Sequence, residues 1–339
     1  MNFEKYMLRA ISLADTYKYT AKPNPVVGAL LVKDDLIISE GAHERFGGNH
    51  AEVNAIALAK KKLGSAFNSF TELTLICTLE PCNHSGKTGP CSQAIIDSGI
   101  KKVIIGSKDP NPKVAGQGIE KLLQNGIDVE TGLCEELVRK QNKFFFFKHE
   151  KKRPYLTIKI AASADWKSHN IDGESIWITS KESRQDVQIV RAQYDAILTG
   201  GNTVKNDNPR MNARVNFKLN QPKKILLSNK DNLNKLENNF FKDADVQILK
   251  ERDIKKIIEG FRESDVCSIL IEAGPKLVNA FLSSNLVDEL IIYQSNNILG
   301  SNGVAWFTED NAVENFGFKL ESSYKIMTDT KNTYKNVKR

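Results

Sequence analysis

No apolar run in this 339-residue sequence approaches the length of a membrane-spanning helix, so a helical membrane protein is not expected. Cysteine is scarce and odd in number, at five, which argues against a disulfide framework and for a reducing compartment. Neither charge dominates: 48 Lys and Arg less 41 Asp and Glu leave +7, spread along the chain. Such a balance implies weak attraction to anions and no nucleic-acid face. Residues Met1 to Ala10 carry Glu4, Lys5 and Arg9 with no apolar segment, so no secretory leader is expected. Fixed-period repeats and low-complexity segments are also missing, which excludes solenoids and tails. The expectation is a cytoplasmic protein of two domains.

Against that scarcity, one grouping of His and Cys stands out. His50-Ala51-Glu52 is followed by Pro81-Cys82 and then Cys91. An imidazole and two thiolates make a three-ligand zinc site, which leaves one position for water, whereas structural zinc normally takes four protein ligands. Zinc-bound water ionises near neutral pH. Glu52 lies two residues from the histidine, where a carboxylate can carry protons without binding metal. This is the signature of zinc nucleobase deaminases, except that eight residues, Asn83 to Pro90, separate the cysteines instead of two. A strand-like run from Val26 to Ile38 closes at Glu40 to His43, and a helical pattern starts at Ala51. Leu73 to Leu79 alternates as a strand, and Cys91 opens a helix that Gly99 stops. Both helix N-termini would face the metal, favouring thiolate and hydroxide. Cys77, Cys134 and Cys267 read as packing residues.

A helical stretch from about Glu135 ends at Phe144 to Phe147, and the charged segment Lys148 to Pro154 follows. This places a boundary between domains 1–147 and 148–339. The second half alternates strands with helices: Leu156 to Ile160, Ala196 to Thr199, Lys224 to Leu227, Val246 to Leu249 and Ser268 to Ile271. A mostly parallel α/β sheet with ligands at its carboxyl ends is expected. Gly200-Gly201 and Gly274 follow two of these strands. Such turns either hold a phosphate or only connect strand to helix.

Asn24-Pro25-Val26-Val27-Gly28-Ala29, His50-Ala51-Glu52, Thr78 to Cys91 and Asp109-Pro110-Asn111-Pro112 resemble the deaminase half of the bifunctional riboflavin-biosynthesis deaminase/reductase family. That family carries the long insertion between its zinc cysteines. Trp177 to Ser180, Asp195 to Leu198, Thr203, Asp207 to Arg210, Arg214 and Glu272 to Pro275 are similar to its reductase half. The resemblance implies a cytidine-deaminase-like three-layer α/β/α domain followed by a dihydrofolate-reductase-like α/β domain. Zn²⁺ and NADPH are the implied cofactors. It also implies two steps: deamination of 2,5-diamino-6-(5-phosphoribosylamino)pyrimidin-4(3H)-one, then reduction of the ribosyl group to 5-amino-6-(5-phosphoribitylamino)uracil. Three other readings remain open: a deaminase with an inactive reductase domain, a nucleoside or tRNA deaminase with an accessory domain, and a non-catalytic zinc scaffold.

By the same resemblance, Glu52 is catalytic and His50, Cys82 and Cys91 are the ligands. Asn24, His43, His84, Lys87 and Asn111 contact the first substrate. NADPH touches Ala161, Trp177, Thr203, Asp207, Asn229 and the stretch Gly274, Pro275, Lys276, Leu277, Val278, Asn279 and Ala280. The second substrate meets Lys159, Ser175, Arg191, Met211, Arg214 and Glu272, with the two arginines suited to a phosphate. The expected partner is a phosphorylated pyrimidine small molecule, not nucleic acid or membrane, in a homo-oligomer. Three departures fall in the second half. Trp166 stands where the family has Gly, Ser228 where it has Asp, and Ser295-Asn296-Asn297 replaces a proline and aromatic pattern. A glycine there points to positive φ, which tryptophan adopts reluctantly.

Overall fold

The computed structural model describes residues 2–64, 70–83, 89–112, 114–171, 177–229, 238–242, 245–307 and 312–337. The chain forms two compact units, the first comprising 1–152 with 218–220, the second 153–217 with 221–339.

In the first unit α1 (Glu4–Asp15) precedes the strands β1 (Gly28–Lys33) and β2 (Leu36–Ala42), then α2 (Ala51–Leu63) and β3 (Thr74–Leu79). Then come α3 (Cys91–Ser98), β4 (Lys102–Ser107), α4 (Gln117–Gln124), β5 (Asp128–Thr131), α5 (Glu135–Gln141) and α6 (Lys143–Lys151). The sheet order is β2-β1-β3-β4-β5, with β3, β4 and β5 parallel and β1 antiparallel to both neighbours. Because strand side chains alternate, Ala29, Leu31, Leu75, Cys77, Val103 and Ile105 meet α2, α3 and α4 on one face. Leu30, Val32, Ile76 and Ile104 meet Tyr6, Met7 and Ala10 of α1 on the other. The result is the expected three layers. Each fully buried Leu or Ile contributes about 1.5–3 kcal/mol.

The single strand read from Val26 to Ile38 is a hairpin. Asp34 and Asp35 take φ of 48° and 61°, the left-handed pair that a two-residue turn requires. The helix read as ending at the phenylalanines is two helices meeting at Asn142, and α6 continues to Lys151. Asn142 has a reason to sit there, since its side chain accepts from Val26 N–H (2.8 Å) and donates to Val26 O (3.0 Å).

The second unit contains β6 (Tyr155–Ala162), β7 (Lys167–Asn170), α7 (Lys181–Gln193), β8 (Ala196–Gly200), α8 (Gly201–Asp207), β9 (Lys223–Leu227) and β10 (Val246–Leu249). It continues through α9 (Ile254–Glu259), β11 (Ser268–Ile271), α10 (Pro275–Ser283), β12 (Glu289–Gln294) and β13 (Gly303–Ala305). The last elements are α11 (Ala312–Asn315), β14 (Phe318–Ile326) and β15 (Asp329–Asn336). The main sheet runs β10-β9-β8-β11-β6-β12-β15-β14, parallel from β10 to β12 and antiparallel thereafter. A small antiparallel pair, β7 with β13, stands apart. Arg153 clamps Asp288 with two bonds of 2.7 Å, and Asp288 accepts from Leu156 N–H, so the ends of β6 and β12 are pinned together. Among the described residues, no helix is long and apolar enough to cross a membrane.

Candidate active sites

Three chain segments bring the deaminase-like groups together. His50 is the N-cap of α2, Cys82 follows β3, and Cys91 is the first residue of α3. Gly41 makes the placement of α2 feasible, because a Cβ there would lie 2.3 Å from the Ala51 carbonyl oxygen. Nδ1 of His50 lies 3.2 Å from Cys91 Sγ and 3.5 Å from Cys82 Sγ, and the three ligand atoms fall within 4.8 Å of one another. Cys91 N–H donates to Cys82 Sγ at 3.5 Å. A hydrogen bond from Cys91 and the proximity of His50 hold Cys82 down, to about 4, while Cys91 is pushed up. Soft thiolates with an imidazole in this spacing suit zinc.

Glu52, in the first turn of α2, is only 3% exposed, and its Oε2 has no hydrogen-bond partner. Burial raises its carboxyl above the ordinary range. An orphaned buried carboxylate oxygen beside three convergent ligands is the mark of a group awaiting water or substrate.

His43 is buried beside His50, with ring centroids 5.5 Å apart. Burial lowers its pKa, so the ring is neutral. Its Nδ1 lies 3.0 Å from Asn49 O, which must accept, so Nδ1 carries the hydrogen. Nε2 therefore accepts from Asn24 Nδ2 at 3.1 Å. His43 fixes the Asn24 amide. Asn111 follows β4, its N–H donating to Asp109 Oδ1 at 2.8 Å, and burial pushes Asp109 up to about 7. His84 and Lys87 lie outside the described residues, as does Ser175 of the second unit. The sequence reading does not single out Asn49, for which there was no signal, or Glu80. The signal for Glu80 was a lone carboxylate two residues before a ligand; it is buried.

In the second unit Lys159, Arg191, Met211, Arg214 and Glu272 do converge. Glu272 accepts from Arg191 Nε at 2.6 Å and Nη2 at 3.0 Å, and pairs with Lys159 Nζ at 2.9 Å. Burial alone would raise Glu272, but Arg191 and Lys159 outweigh it and hold the carboxyl down to about 2. Arg191 also donates from Nη1 to Asn212 O and from Nη2 to Met211 Sδ. Nε and Nη2, one edge of its fork, are engaged by Glu272. Arg214 is exposed, with Nη1 donating to Asn212 Oδ1 at 3.0 Å.

The residues expected to meet NADPH lie largely at the carboxyl ends of β6, β8, β9 and β11. Ala161 O accepts from Trp306 Nε1 at 2.8 Å. Trp177 is 75% exposed, with the Arg184 guanidinium 4.3 Å from its ring centre. Thr203 and Asp207 lie on α8, and Asn229 follows β9. With its oxygen turned to the guanidinium, Asn229 accepts from Arg252 Nε and Nη2 at 2.8 and 2.9 Å. Gly274 caps α10, Pro275 opens it, and a Cβ at Gly274 would meet open space. Gly201 leaves room for Ser228, whose Oγ a Cβ would meet at 2.7 Å, while the opening at Gly274 fits a cofactor laid across these strand ends. Val278 of the expected set turns inward. Its side chain is fully buried in the core and packs there, while Lys276 and Ala280 are exposed.

Trp166 does take the left-handed conformation, with φ 59°. Its N–H donates to Ser163 O, closing the turn between β6 and β7, and its carbonyl accepts from Trp306 N–H. The indole packs on Phe307, centroids 5.9 Å apart, and against the core of its unit. Asp165 accepts from Leu299 and Gly300 N–H, tying the turn to the residues that follow the segment departing from the family pattern.

Two family models match the chain. Residues 1–107 match the cytidine and deoxycytidylate deaminase zinc-binding region, and residues 154–331 match the RibD C-terminal domain. The second match excludes an unrelated accessory domain. The riboflavin biosynthesis protein RibD of Aquifex aeolicus is 38% identical over 88% of this chain and 88% of its own, and that of Escherichia coli is 35% identical over 89% of each. The Acinetobacter baumannii RibD structure superposes with a TM-score of 0.87 at 34% identity, covering 98% of both chains. The diaminohydroxyphosphoribosylaminopyrimidine deaminase/5-amino-6-(5-phosphoribosylamino)uracil reductase of Thermotoga maritima gives 0.85 at 36% identity and the same coverage. This chain belongs to the RibD family of riboflavin biosynthesis, zinc-binding deaminases joined to NADPH-dependent reductases.

Proposed function

We propose that the chain removes the 2-amino group of 2,5-diamino-6-(5-phosphoribosylamino)pyrimidin-4(3H)-one by hydrolysis. It then reduces the ribosyl group of the product to give 5-amino-6-(5-phosphoribitylamino)uracil. The first compact unit carries the deamination and the second the reduction. The observation that carries the reading is the unpartnered, buried Oε2 of Glu52 beside the convergent His50, Cys82 and Cys91. A zinc ion held by those three residues supplies Lewis-acid activation of water. Glu52 takes a proton from the attacking water and delivers it to the departing nitrogen, so the oxygen stays on the ring and ammonia leaves. Its burial, which raises the carboxyl, supports that role. Asn24, oriented by neutral His43, and Asn111 contact the pyrimidine with His84, and Lys87 pairs with the phosphate.

In the second step NADPH supplies the hydride. Lys159 and Glu272 face the opened ribose, and Glu272 orients both Lys159 and Arg191. Arg214 takes the phosphate, while Arg191, Met211 and Ser175 shape the pocket. The cofactor lies along Ala161, Trp177, Thr203, Asp207, Asn229 and the start of α10. The indole of Trp166 packs against Phe307, which supports a working reductase rather than a silenced one. A cytoplasmic homo-oligomer completes the reading. The test is incubation of the purified chain with the diaminopyrimidine ribotide, with and without NADPH, followed by mass analysis. Exchange of NH for O without NADPH, and a further gain of two hydrogens with it, supports the proposal. An unchanged ribotide overturns it.

A further inference from the structure

The carboxylate of Glu80 lies buried just beyond β3, and four backbone N–H groups of one segment converge on it. Oε2 accepts from Asp109 N–H at 3.2 Å and Gly116 N–H at 3.0 Å. Oε1 accepts from Gly118 at 3.1 Å and Ile119 at 3.3 Å. The last two belong to the first turn of α4, so the anion also meets the positive end of that helix. The fit is close. A Cβ on Gly118 would lie 1.9 Å from Pro81 O, and Gly116 takes φ 80°. Glu80 N–H in turn donates to Ser107 O at the end of β4.

This segment carries two elements of the deaminase site. Asn111 follows Asp109, and its carbonyl accepts from Val114 and Ala115 N–H at 2.8 Å each. Val114 is buried against Cys82 and Cys91. Glu80 is thus joined through the chain to Cys82 on one side and through hydrogen bonds to the Asn111 turn on the other. A buried carboxylate with several N–H donors has one favourable arrangement of those donors, so it holds the turn before substrate arrives. We propose that Glu80 is a positioning residue of the deamination, setting Asn111 relative to the metal ligands without touching the substrate. The proposal rests on the reading of Asn111 as a substrate contact.

A double-mutant cycle on the full chain tests it, with the diaminopyrimidine ribotide as substrate. Glu80→Gln keeps the size but turns an amide NH2 toward two of the N–H donors. It should raise KM by about tenfold or more and change kcat by less than about threefold. Zinc content and reduction of the deaminated uracil should stay as in the parent. In an Asn111→Ala background the same change should add less than about twofold to KM. An unchanged KM in Glu80→Gln, or its full effect persisting beside Asn111→Ala, overturns the proposal. Asn111→Ala alone leaving KM unchanged instead overturns the reading of Asn111. If Glu80→Gln does not fold, Gly116→Ala, with open space around the added Cβ but an unfavourable φ, loosens the same segment and takes its place in the cycle.

Discussion

Replacing Glu272 by Gln removes the shared anion of Lys159 and Arg191 while keeping its shape. Glu272 is 5% exposed, so solvent screens the loss little. Its carboxyl falls from 4.5 to about 2 in the folded protein, which corresponds to about 3 kcal/mol of stability at neutral pH. Breaking a buried ion pair and stranding its cations costs about 3–5 kcal/mol, which agrees. Because the folded value is depressed, the contribution is present above the unfolded value of 4.5 and is lost as pH falls toward 2. Near pH 3.5 a substantial part of it is gone. For a unit of this size the variant should melt about 6–12 °C lower at pH 7. Calorimetry, with the NADPH-dependent transition identifying the second unit, measures the gap at pH 7 and again near pH 4. A gap under about 1 kcal/mol at pH 7 would refute the coupling, and so would one that does not narrow on acidification.

Cys82→Ser and Cys91→Ser should each lose the metal, and full zinc by metal analysis in both would remove the ligand assignment. Trp166→Gly relieves about 1–2 kcal/mol of left-handed strain and forfeits a comparable amount of aromatic packing. Its melting temperature should therefore move by a few degrees and NADPH affinity by less than about threefold. A large gain in NADPH binding, read by fluorescence titration, would mean that the indole obstructs the cofactor.

The ligand triad was legible because three chemically unusual residues flank helix starts and a strand end that the hydrophobic pattern marks clearly. The parallel strands β6, β8, β9, β10 and β11 were legible for the same reason, as β-rich apolar runs followed by turns. The strands β14 and β15 were not. Much of β14 is exposed, from Lys319 to Glu321 and again around Tyr324, so it shows no clean alternation. Its place is set by pairing with β15, a register no local pattern reports. The break at Asn142 depends on a partner 116 residues away. Arg191 shows the limit within a site: its residue type suits a phosphate, and only the fold reveals that Glu272 engages one edge of its fork. Trp166 shows the reverse: tryptophan was expected to adopt positive φ reluctantly, and the structure holds it there at 59°.

The central claim is that two separate sites act in turn, with Glu52 moving protons only in the first. Glu52→Gln, offered the diaminopyrimidine ribotide in one assay and the deaminated uracil with NADPH in another, tests it most directly. The account predicts one zinc per chain, deamination reduced by about a hundredfold or more, and reduction at the parent rate. Near-normal deamination, or loss of both activities in a zinc-loaded, folded variant, would contradict it.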